Sequence, residues 1–556
     1  MVLLCILAAS LAHANNLTHV QHVIVVIQEN RTPTNLFQQD QTLRDNGAHI
    51  VTQAFCHGHL VPLTPPSDLH TCWDPRHTHL KAWIPMWDHG NMDGACDIPI
   101  AWQTGNGGWC GTDPSSKPSC VDPGLCPYIP VRNAPFTGGH VLDPYFQIAN
   151  QYGYANYMFS TGQGPSYPGH QFLLSGTSAP DAFNLDTCGT GSDTFPCYQW
   201  FAAENNVNTG TWGCTSSGAN IWEVAPNGDE LLSIYNNGAP CYHHSTLVYL
   251  LDHANPSITW KYYARDKKGL WTAPNSIYDI CVPSQDNTHC TGQDWTNNVA
   301  AVLPDQGIYD SAPILDDIAA CRLPQVSWVI PDGNWSDHAG GSNTGPADGG
   351  PSWVAAIVNA IGQDTRCEGG AGYWSDTVIL VTWDDWGGYY DDVAPPNCGV
   401  GGDCGYSNGT GGKYVYGFRV PLLVVGAYVQ QVTQQGGYIS GANVYPPVCA
   451  PPNTYCHDFG SILNFIEYAF GTGSAPLGGV GGISPDYNYA DVLVMDKPQS
   501  PPNNYSLYDF FDFTTFHNFR PISGVKYQPS CFQNPGGQGC FTTYPVDPDN
   551  DANETD

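Results

Sequence analysis

The chain has 556 residues, of which only 12% are charged, and its 50 Asp and Glu outnumber its 17 Lys and Arg to give a net charge of −33. Such a surface repels polyanions, which excludes binding to nucleic acids or anionic membranes through bulk electrostatics. The length exceeds that of a usual single domain and allows a large buried core.

The start of the chain predicts export. Residues 1–14 combine a short apolar core with a terminal Ala-His-Ala, which is typical of a signal peptide cleaved after Ala14. After it, no stretch has the run of about 18 apolar residues that a transmembrane helix needs. We therefore expect a secreted or periplasmic protein with no transmembrane span.

Cysteine usage agrees with an oxidising compartment. Removal of Cys5 with the signal peptide leaves an even number of cysteines, and none of them forms a Cys-x-x-Cys pair. In an exported chain this pattern indicates disulfides that pin loops, rather than zinc sites, although the pairing stays open. The closely spaced cysteines are Cys188 and Cys197, Cys281 and Cys290, Cys398 and Cys404, Cys449 and Cys456, and Cys531 and Cys540.

Apolar runs and helical patterns alternate along the chain. The runs that predict buried strands cover residues 23–27, 326–331, 377–383 and 420–427. Helical apolar faces occur within 354–361 and 462–470. Strands without polar alternation, interleaved with amphipathic helices, favour a mostly parallel sheet with helices on both faces, which is an α/β/α sandwich.

The remaining stretches suggest insertions into one domain and a C-terminal tail. We expect this domain to span residues 15–527, with long Cys- and Gly-rich insertions at about 52–135 and 180–245 that disulfides pin down. The Pro-, Asn- and Asp-rich residues 528–556 predict a loosely ordered acidic tail.

Two predicted strands end in side chains that bind hard metal ions. The run "VIVVIQEN" ends in Glu29-Asn30, and "VILVTWDD" ends in Asp384-Asp385. Ligands bind at the carboxyl ends of parallel strands, so these groups are expected to come together. Three carboxylates and an amide carbonyl favour Ca²⁺, Mg²⁺ or Mn²⁺ over Zn²⁺. The alternative is that each pair only caps the helix or turn that follows it.

A Gly- and Pro-rich loop within residues 160–178 presents Ser166, and the following Phe-Leu-Leu predicts the start of a helix. A hydroxyl there can approach a phosphorus atom while helix N-terminal amides hold its oxygens. The alternative is an ordinary turn serine. Among the histidines, His338 closely follows a predicted strand, and His244 precedes a Ser-Thr helix cap that makes a fair anion site.

Six motifs in order then carry a family resemblance. They are Glu29-Asn30-Arg31, the Ser166 loop, "ITWKYYA" at 258–264, "LPQVSWVIPDGNWSDHAG" at 323–340, "TWDDWGGYYDDVAPP" at 382–396 and "HDFGSILNFIEYAFG" at 457–471. Together they resemble the bacterial phosphoesterase family of non-specific phospholipases C and secreted acid phosphatases. The resemblance extends over about residues 20–520 and implies an alkaline-phosphatase-like fold.

The resemblance also implies a site and a reaction. The residues it assigns to one divalent metal ion are Glu29, Asn30, Ser166, Asp384 and Asp385. Ser166 would be the nucleophile, giving a phosphoserine intermediate with a small phosphate ester or a phospholipid as substrate. The histidines that would contact the phosphoryl group or assist the leaving group are His77, His338, His243 and His244.

Several departures from the family pattern bear on the substrate. The first motif continues as Thr-Pro-Thr-Asn-Leu-Phe without the family's histidine, and residues 166–170 read Ser-Tyr-Pro-Gly-His where Thr-x-Pro-Asn-Arg is common. The acidic motif continues with Asp391-Asp392-Val393 where Asp-His-Val is common. The paired aspartates of "TWDDWGG" resemble the acid phosphatases more than the phospholipases.

We therefore expect an acid phosphatase, with phospholipase C at the same site as the alternative. An acidic optimum would follow from imidazolium groups, since an unperturbed histidine has a pKa of about 6.5. A sulfatase is a weaker alternative, because residues 166–170 match the Ser-x-Pro-x-Arg modification sequence except for its arginine. A non-catalytic, glycan-binding surface protein rich in aromatic residues is the last alternative.

Overall fold

A computed structural model of the chain describes residues 16–102, 120, 122–178, 203–206, 213–216, 221–224, 230–232, 241–243, 246–264, 269–299, 312–339, 348–396, 406–407, 410–411, 416–432, 436–449, 454–472, 475–477 and 505–541. The predicted signal peptide and His244 lie outside these residues, and so do residues 542–556 of the predicted tail.

A seven-stranded sheet forms the centre of the fold. Its strands are β1 His22–Gln28, β2 Gly153–Ala155, β3 Trp260–Tyr263, β4 Val326–Val329, β5 Thr377–Trp383, β6 Leu422–Gly426 and β7 Tyr438–Ser440. They lie in the order β3-β4-β1-β5-β6-β2-β7, and within this sheet only β6 runs antiparallel to its neighbours. The predicted mostly parallel sheet is thus confirmed, and β1, β4, β5 and β6 match the four apolar runs.

Long helices pack beside the sheet. The described helices of nine or more residues are α1 Asp143–Gln151, α2 Ser166–Ser175, α3 Gly350–Gln363 and α4 Phe459–Phe470, of which α3 and α4 were predicted. The short α-helices are Pro33–Phe37, Gln41–Asp45, Ile84–Trp87, Leu247–His253, Pro313–Ala319 and Pro529–Gln533. Helix α1 packs against α3, and α2 packs against α4. Coverage of both sheet faces and the alkaline-phosphatase-like classification remain predictions.

Small strand pairs lie outside the central sheet. They join Gln53–Cys56 with His59–Pro62, Trp73–Pro75 with Ile100–Trp102, Pro135–Phe136 with Gly139–His140, Tyr157–Phe159 with Cys456–Asp458, and Tyr406–Ser407 with Thr410–Gly411. A separate three-stranded sheet contains Ala203–Asn206, Ile221–Val224 and Glu230–Leu232. No helix in the described ranges is both long and apolar enough to cross a bilayer.

Disulfides pin many of the connecting segments. Those between two described cysteines join Cys56 to Cys96, Cys120 to Cys126, Cys214 to Cys241, Cys281 to Cys290, Cys321 to Cys367, Cys449 to Cys456, and Cys531 to Cys540. Three of the five closely spaced pairs are therefore bonded, while Cys188, Cys197, Cys398 and Cys404 lie outside the described residues. Within the predicted tail, helix Pro529–Gln533 buries Phe532 against Trp353.

A buried arginine fixes the segment that leaves β5. Arg419 and Asp391 are both fully buried, and the guanidinium Nη2 lies 2.7 Å from Asp391 Oδ1. The same guanidinium donates to the carbonyl oxygens of His49 and Asn156, at 2.9 and 3.0 Å, and contacts Asp392 at 3.3 Å. One guanidinium thus pairs with two carboxylates, and Asp392 also contacts His49, which explains the Asp391-Asp392 pair as a structural feature.

Substitution of Arg419 by Met should destabilise the protein strongly, because it leaves the carboxylate of Asp391 buried without its cation. We expect the free energy of unfolding to fall by about 3–5 kcal/mol in urea titrations at pH 7. The matched control is Arg132→Met, since the ion pair of Arg132 with Asp68 is largely exposed and should contribute at most about 1 kcal/mol. Equal effects of the two substitutions would contradict this account.

Candidate active site

The pairing of β1 with β5 brings the predicted oxygen donors together. Gln28 at the end of β1 lies opposite Trp383 at the end of β5, in a parallel register that is unbroken along both strands. The backbone amide of Asp384 still donates to the carbonyl oxygen of Gln28, at 3.0 Å. The pairs Glu29-Asn30 and Asp384-Asp385 therefore leave the same sheet edge side by side, as predicted.

Asn30 is held in an unusual backbone conformation. Its φ is +59°, in the left-handed region that Asn tolerates better than most residues. The conformation aims its amide N–H at Asp384 Oδ1, 3.0 Å away. Its carbonyl oxygen lies against Gly387, where any Cβ atom would collide with it. Gly387 therefore allows the two strand ends to approach each other.

Ser166 lies among these oxygens. Its Oγ is 3.3 Å from Glu29 Oε2, 3.2 Å from Asn30 Oδ1 and 3.4 Å from Asp385 Oδ2. All four side chains are at most 1% exposed. A serine hydroxyl has one proton, so it can donate to only one of three such acceptors at a time. The structure thus brings together Ser166, both strand-end pairs and a surplus of acceptor oxygens.

Ser166 is also the first residue of α2, so the helix begins earlier than the predicted start at Phe-Leu-Leu. Pro168 does not prevent this, because proline is tolerated in the first turn of a helix. Gly169 lets the same turn approach the strand end, since a Cβ atom there would lie 2.6 Å from the Asp384 carbonyl oxygen. The N-terminus of α2 therefore points its backbone amides towards the site.

His77 orients the amide of Asn30. Its Nδ1 lies 2.9 Å from the carbonyl oxygen of Pro75, which can only accept, so Nδ1 carries a proton. In the neutral imidazole, Nε2 then accepts from Asn30 Nδ2, 3.1 Å away. This leaves Asn30 Oδ1 on the side of Ser166. The predicted histidine is therefore present at the site, where it contacts a predicted metal ligand.

His338 lies beside His77, with ring centroids 6.2 Å apart, and its other flank faces the indole of Trp271 at 6.1 Å. The His338 Nδ1 donates to the carbonyl oxygen of Ala339, at 2.5 Å. Arg31 holds this loop, because its Nε donates to the carbonyl oxygen of Asp337, at 2.9 Å. The third residue of the Glu-Asn-Arg triplet thus positions the segment that carries a predicted catalytic histidine.

Asp337 is a buried acid behind the site. Its Oδ2 accepts hydrogen bonds from Tyr145 Oη at 2.8 Å and from Trp383 Nε1 at 3.0 Å. Burial raises the pKa of Asp337 to about 7, although these hydrogen bonds and the charge of Arg31 oppose the shift. The carboxyl is therefore mainly protonated in a mildly acidic medium.

His170 is a site residue that the sequence reasoning did not assign. It is fully buried, and its Nε2 lies 3.0 Å from Glu29 Oε1 and 3.8 Å from Asp384 Oδ2. The spacing in the sequence could have predicted it, because His170 is four residues after Ser166 and so lies on the same face of the helix. The spacing indicates a shared helix face only if the helix begins at Ser166, whereas the sequence predicted a start at Phe-Leu-Leu.

The two remaining predicted histidines are not placed at this cluster. His243 has a side chain that is 54% exposed, lies 3.8 Å from Asp279 and packs on the ring of Tyr278. His244 lies outside the described residues. Their predicted roles at the phosphoryl group therefore stay predictions.

Comparison with protein families identifies the family of the protein. A model of the Phosphoesterase family matches residues 20–473 of the chain. The chain belongs to the Phosphoesterase family. This confirms the resemblance inferred from the six motifs, and the match includes every predicted site residue.

Curated relatives of this family member are bacterial phospholipases C at low identity. The hemolytic phospholipase C of Pseudomonas aeruginosa is 24% identical over 352 residues, which cover 59% of this chain and 38% of the relative. Phospholipase C B of Mycobacterium tuberculosis is 27% identical over 205 residues, covering 34% and 36%. The non-hemolytic phospholipase C of Burkholderia pseudomallei is 29% identical over 167 residues, covering 28% and 20%. The chain thus spans about two fifths or less of the length of these relatives.

Asp337 should make the stability of this Phosphoesterase family member depend on pH. Its pKa is about 7 in the folded state, against an ordinary value of 3.8. Its contribution is therefore fully present below about pH 4 and is lost as the pH rises to about 7. A pKa difference of this size corresponds to on the order of 4 kcal/mol.

Asp337→Asn removes the titrating group and should reduce the dependence of the free energy of unfolding on pH. We expect the variant to gain stability relative to the wild type as the pH rises from 4 to 7, measured by urea unfolding at each pH. The control is Asp68→Asn, which changes an exposed acid of a surface ion pair. An unchanged pH slope in Asp337→Asn would show that this carboxyl does not carry the shift.

Proposed function

We propose that the protein hydrolyses phosphoric esters with Ser166 as the nucleophile and a divalent metal ion as cofactor. The observation that carries the proposal is the position of Ser166 Oγ, at the start of α2 and within 3.2–3.4 Å of three acceptor oxygens. Membership of the Phosphoesterase family supports the same reaction class.

The residues around Ser166 fit a divalent cation. Glu29, Asn30, Asp384 and Asp385 would hold it together with the serine hydroxyl. All of these carboxylates are buried, and those of Glu29 and Asp385 lie 3.3 and 3.4 Å from Ser166 Oγ. Buried acids in such numbers are costly unless a positive charge is present. When bound, the cation would supply that charge, lower the pKa of the hydroxyl and polarise a phosphoryl oxygen.

The chain's own groups then account for the reaction. Ser166 Oγ gives its proton to the carboxylate of Asp385 and attacks phosphorus, and the bond from phosphorus to the leaving oxygen breaks as the phosphoseryl ester forms. The backbone amides at the start of α2 hold the non-bridging oxygens. His338 is our candidate for the acid that protonates the leaving oxygen. Water then attacks the phosphoseryl group and gives one proton to His338, while Asp385 returns its proton to Ser166 Oγ and hydrogen phosphate is released.

His77 has a different role in this proposal. Its Nε2 accepts from Asn30 and its Nδ1 donates to Pro75, so both ring nitrogens are engaged in orienting the amide. We therefore propose His77 as a positioning residue and His338 as the proton donor. His243 and His244 remain candidates for contacts with the substrate.

Substitution of Ser166 by Ala should abolish turnover, because no other group replaces the nucleophile. We expect hydrolysis of p-nitrophenyl phosphate to fall by about 10³-fold or more in kcat. The matched control is Ser175→Ala, the same change at the far end of α2 and at another fully buried serine. Chelator should suppress the wild-type activity. Full activity of Ser166→Ala would refute the assigned nucleophile.

Mass spectrometry of the peptide that contains Ser166 tests the intermediate directly. Acid quenching during turnover should trap one phosphoryl group on Ser166 in the wild type and none in Ser166→Ala. A formylglycine, two hydrogens lighter than serine, would instead establish the sulfatase alternative. If the peptide is unmodified and the protein shows no hydrolytic activity, the glycan-binding alternative would be favoured.

For the substrate, we propose a phosphomonoester, which makes the protein an acid phosphatase. Support comes from the paired aspartates of "TWDDWGG" and from the net charge of −33, which disfavours adsorption to anionic bilayers. The second candidate is phospholipase C, which the names of the curated relatives favour. Seven disulfides in the described part of the chain support a secreted or periplasmic location for either enzyme.

The two substrate classes are separated by comparing p-nitrophenyl phosphate with p-nitrophenyl phosphorylcholine from pH 4 to 9. We expect the monoester to be preferred in kcat/KM, with an acidic optimum that follows from a protonated histidine acid. Preference for the choline ester would move the assignment to phospholipase C at the same Ser166. An alkaline optimum would count against the acid phosphatase.

A further inference from the structure

The carboxylate of Glu29 faces two different groups. Its Oε2 lies 3.3 Å from Ser166 Oγ, whereas its Oε1 lies 3.0 Å from His170 Nε2. The carboxylate therefore separates two sets of potential ligand atoms. Only the set around Ser166 is used by the reaction described above, which leaves the environment of Oε1 to be explained.

Around Oε1, three buried side chains form a compact group. Glu29, His170 and Asp384 are fully buried, and one ligand atom of each lies within 4.8 Å of the other two. His170 Nε2 lies 3.0 Å from Glu29 Oε1 and 3.8 Å from Asp384 Oδ2. Atoms that each lie about 2.0–2.2 Å from one shared cation are separated from each other by distances similar to these two.

Asp384 gives independent support for a cation at this place. Its Oδ1 accepts the amide N–H of Asn30, but its Oδ2 is buried and has no hydrogen-bond partner. A carboxylate oxygen in the interior is expected to be hydrogen-bonded or to bind a cation. This oxygen lies on the His170 side of the residue, where Glu29 adds a second negative charge.

The helix geometry explains why His170 reaches this group. His170 follows Ser166 by four residues in α2, so both side chains project from the same face of the helix. Gly169 between them permits close contact of α2 with the backbone of Asp384. The same helix that presents the serine to Glu29 Oε2 therefore also presents a nitrogen atom to Glu29 Oε1.

We propose that a second cation binds to Glu29 Oε1, His170 Nε2 and Asp384 Oδ2, and that Glu29 bridges it to the cation beside Ser166. The inference rests on the proposed function for the first cation position. An imidazole ligand favours Zn²⁺ or Co²⁺ over Ca²⁺ and Mg²⁺ at the second position. The hard-oxygen preference expected from the sequence then applies only to the position beside Ser166.

Metal stoichiometry tests this proposal without depending on activity. The protein is stripped with chelator, titrated with Co²⁺, passed through a desalting column and analysed by plasma mass spectrometry for cobalt per chain. Co²⁺ also reports on its ligands through its visible absorption. We expect two Co²⁺ per wild-type chain and one per His170→Leu chain, with loss of the absorption that arises from the histidine-containing site.

The matched control is His457→Leu, which removes another fully buried histidine, one that contacts Ser440 and the ring of Phe510. It should retain two Co²⁺. Circular dichroism checks the fold of each variant, and if His170→Leu does not fold, the wild-type count alone decides. One Co²⁺ per chain in both wild type and His170→Leu, or two in both, would overturn the second site.

The two hypotheses fail in distinguishable ways. One Co²⁺ per chain in both wild type and His170→Leu, with chelator-sensitive ester hydrolysis, would leave the proposed function intact and reduce His170 to a hydrogen-bond partner of Glu29. No bound Co²⁺, Zn²⁺ or Mn²⁺, together with hydrolysis that chelator does not affect, would overturn both the second site and the metal dependence of the proposed function.

Discussion

The register between β1 and β5 is the constraint on which the candidate site depends. A slip of one residue would displace Glu29 by about 3.3 Å along the strand and turn its side chain to the other face. Contacts of 3.2–3.4 Å at Ser166 Oγ could not survive such a shift. Because both strands are buried along their whole length, apolar alternation does not select the register. Close packing and the polar contacts at the strand ends must do so.

Two buried guanidinium groups extend this order into the loops. Arg31 reaches back from the end of β1 to the carbonyl oxygen of Asp337, and Arg419 gathers Asp391 and two backbone carbonyl groups. Arginine suits this use, since its planar group offers several donors in fixed directions. In a chain with few cations, these two buried groups position loops, and Arg419 also pairs with the carboxylate of Asp391.

The sequence predicted the parts of the site that depend on local pattern. Apolar runs of strand length mark where β1 and β5 end, so Glu29 and Asp384 could be placed at a common edge without coordinates. The resemblance to a family supplied His77 and His338. Neither source predicted His170, because its relevance depends on where α2 begins.

Contacts between segments far apart in the chain were also missed. Asp337 and its partner Tyr145 are separated by 192 residues, and Arg31 and Asp337 by 306 residues. Nothing in the composition of either segment indicates which loop its side chains contact. The same holds for the direction in which each oxygen of Glu29 points, which tertiary packing alone decides.

The wide separation of the site's halves along the chain has a consequence for biosynthesis. Asn30 and Asp384, which share a hydrogen bond, are 354 residues apart. A nascent chain that ends before β5 therefore carries Ser166 and Glu29 but lacks the aspartates of the opposite strand end. Under the proposed function, hydrolytic activity therefore requires synthesis and docking of β5, so a nascent chain that ends before Thr377 cannot attack phosphate esters.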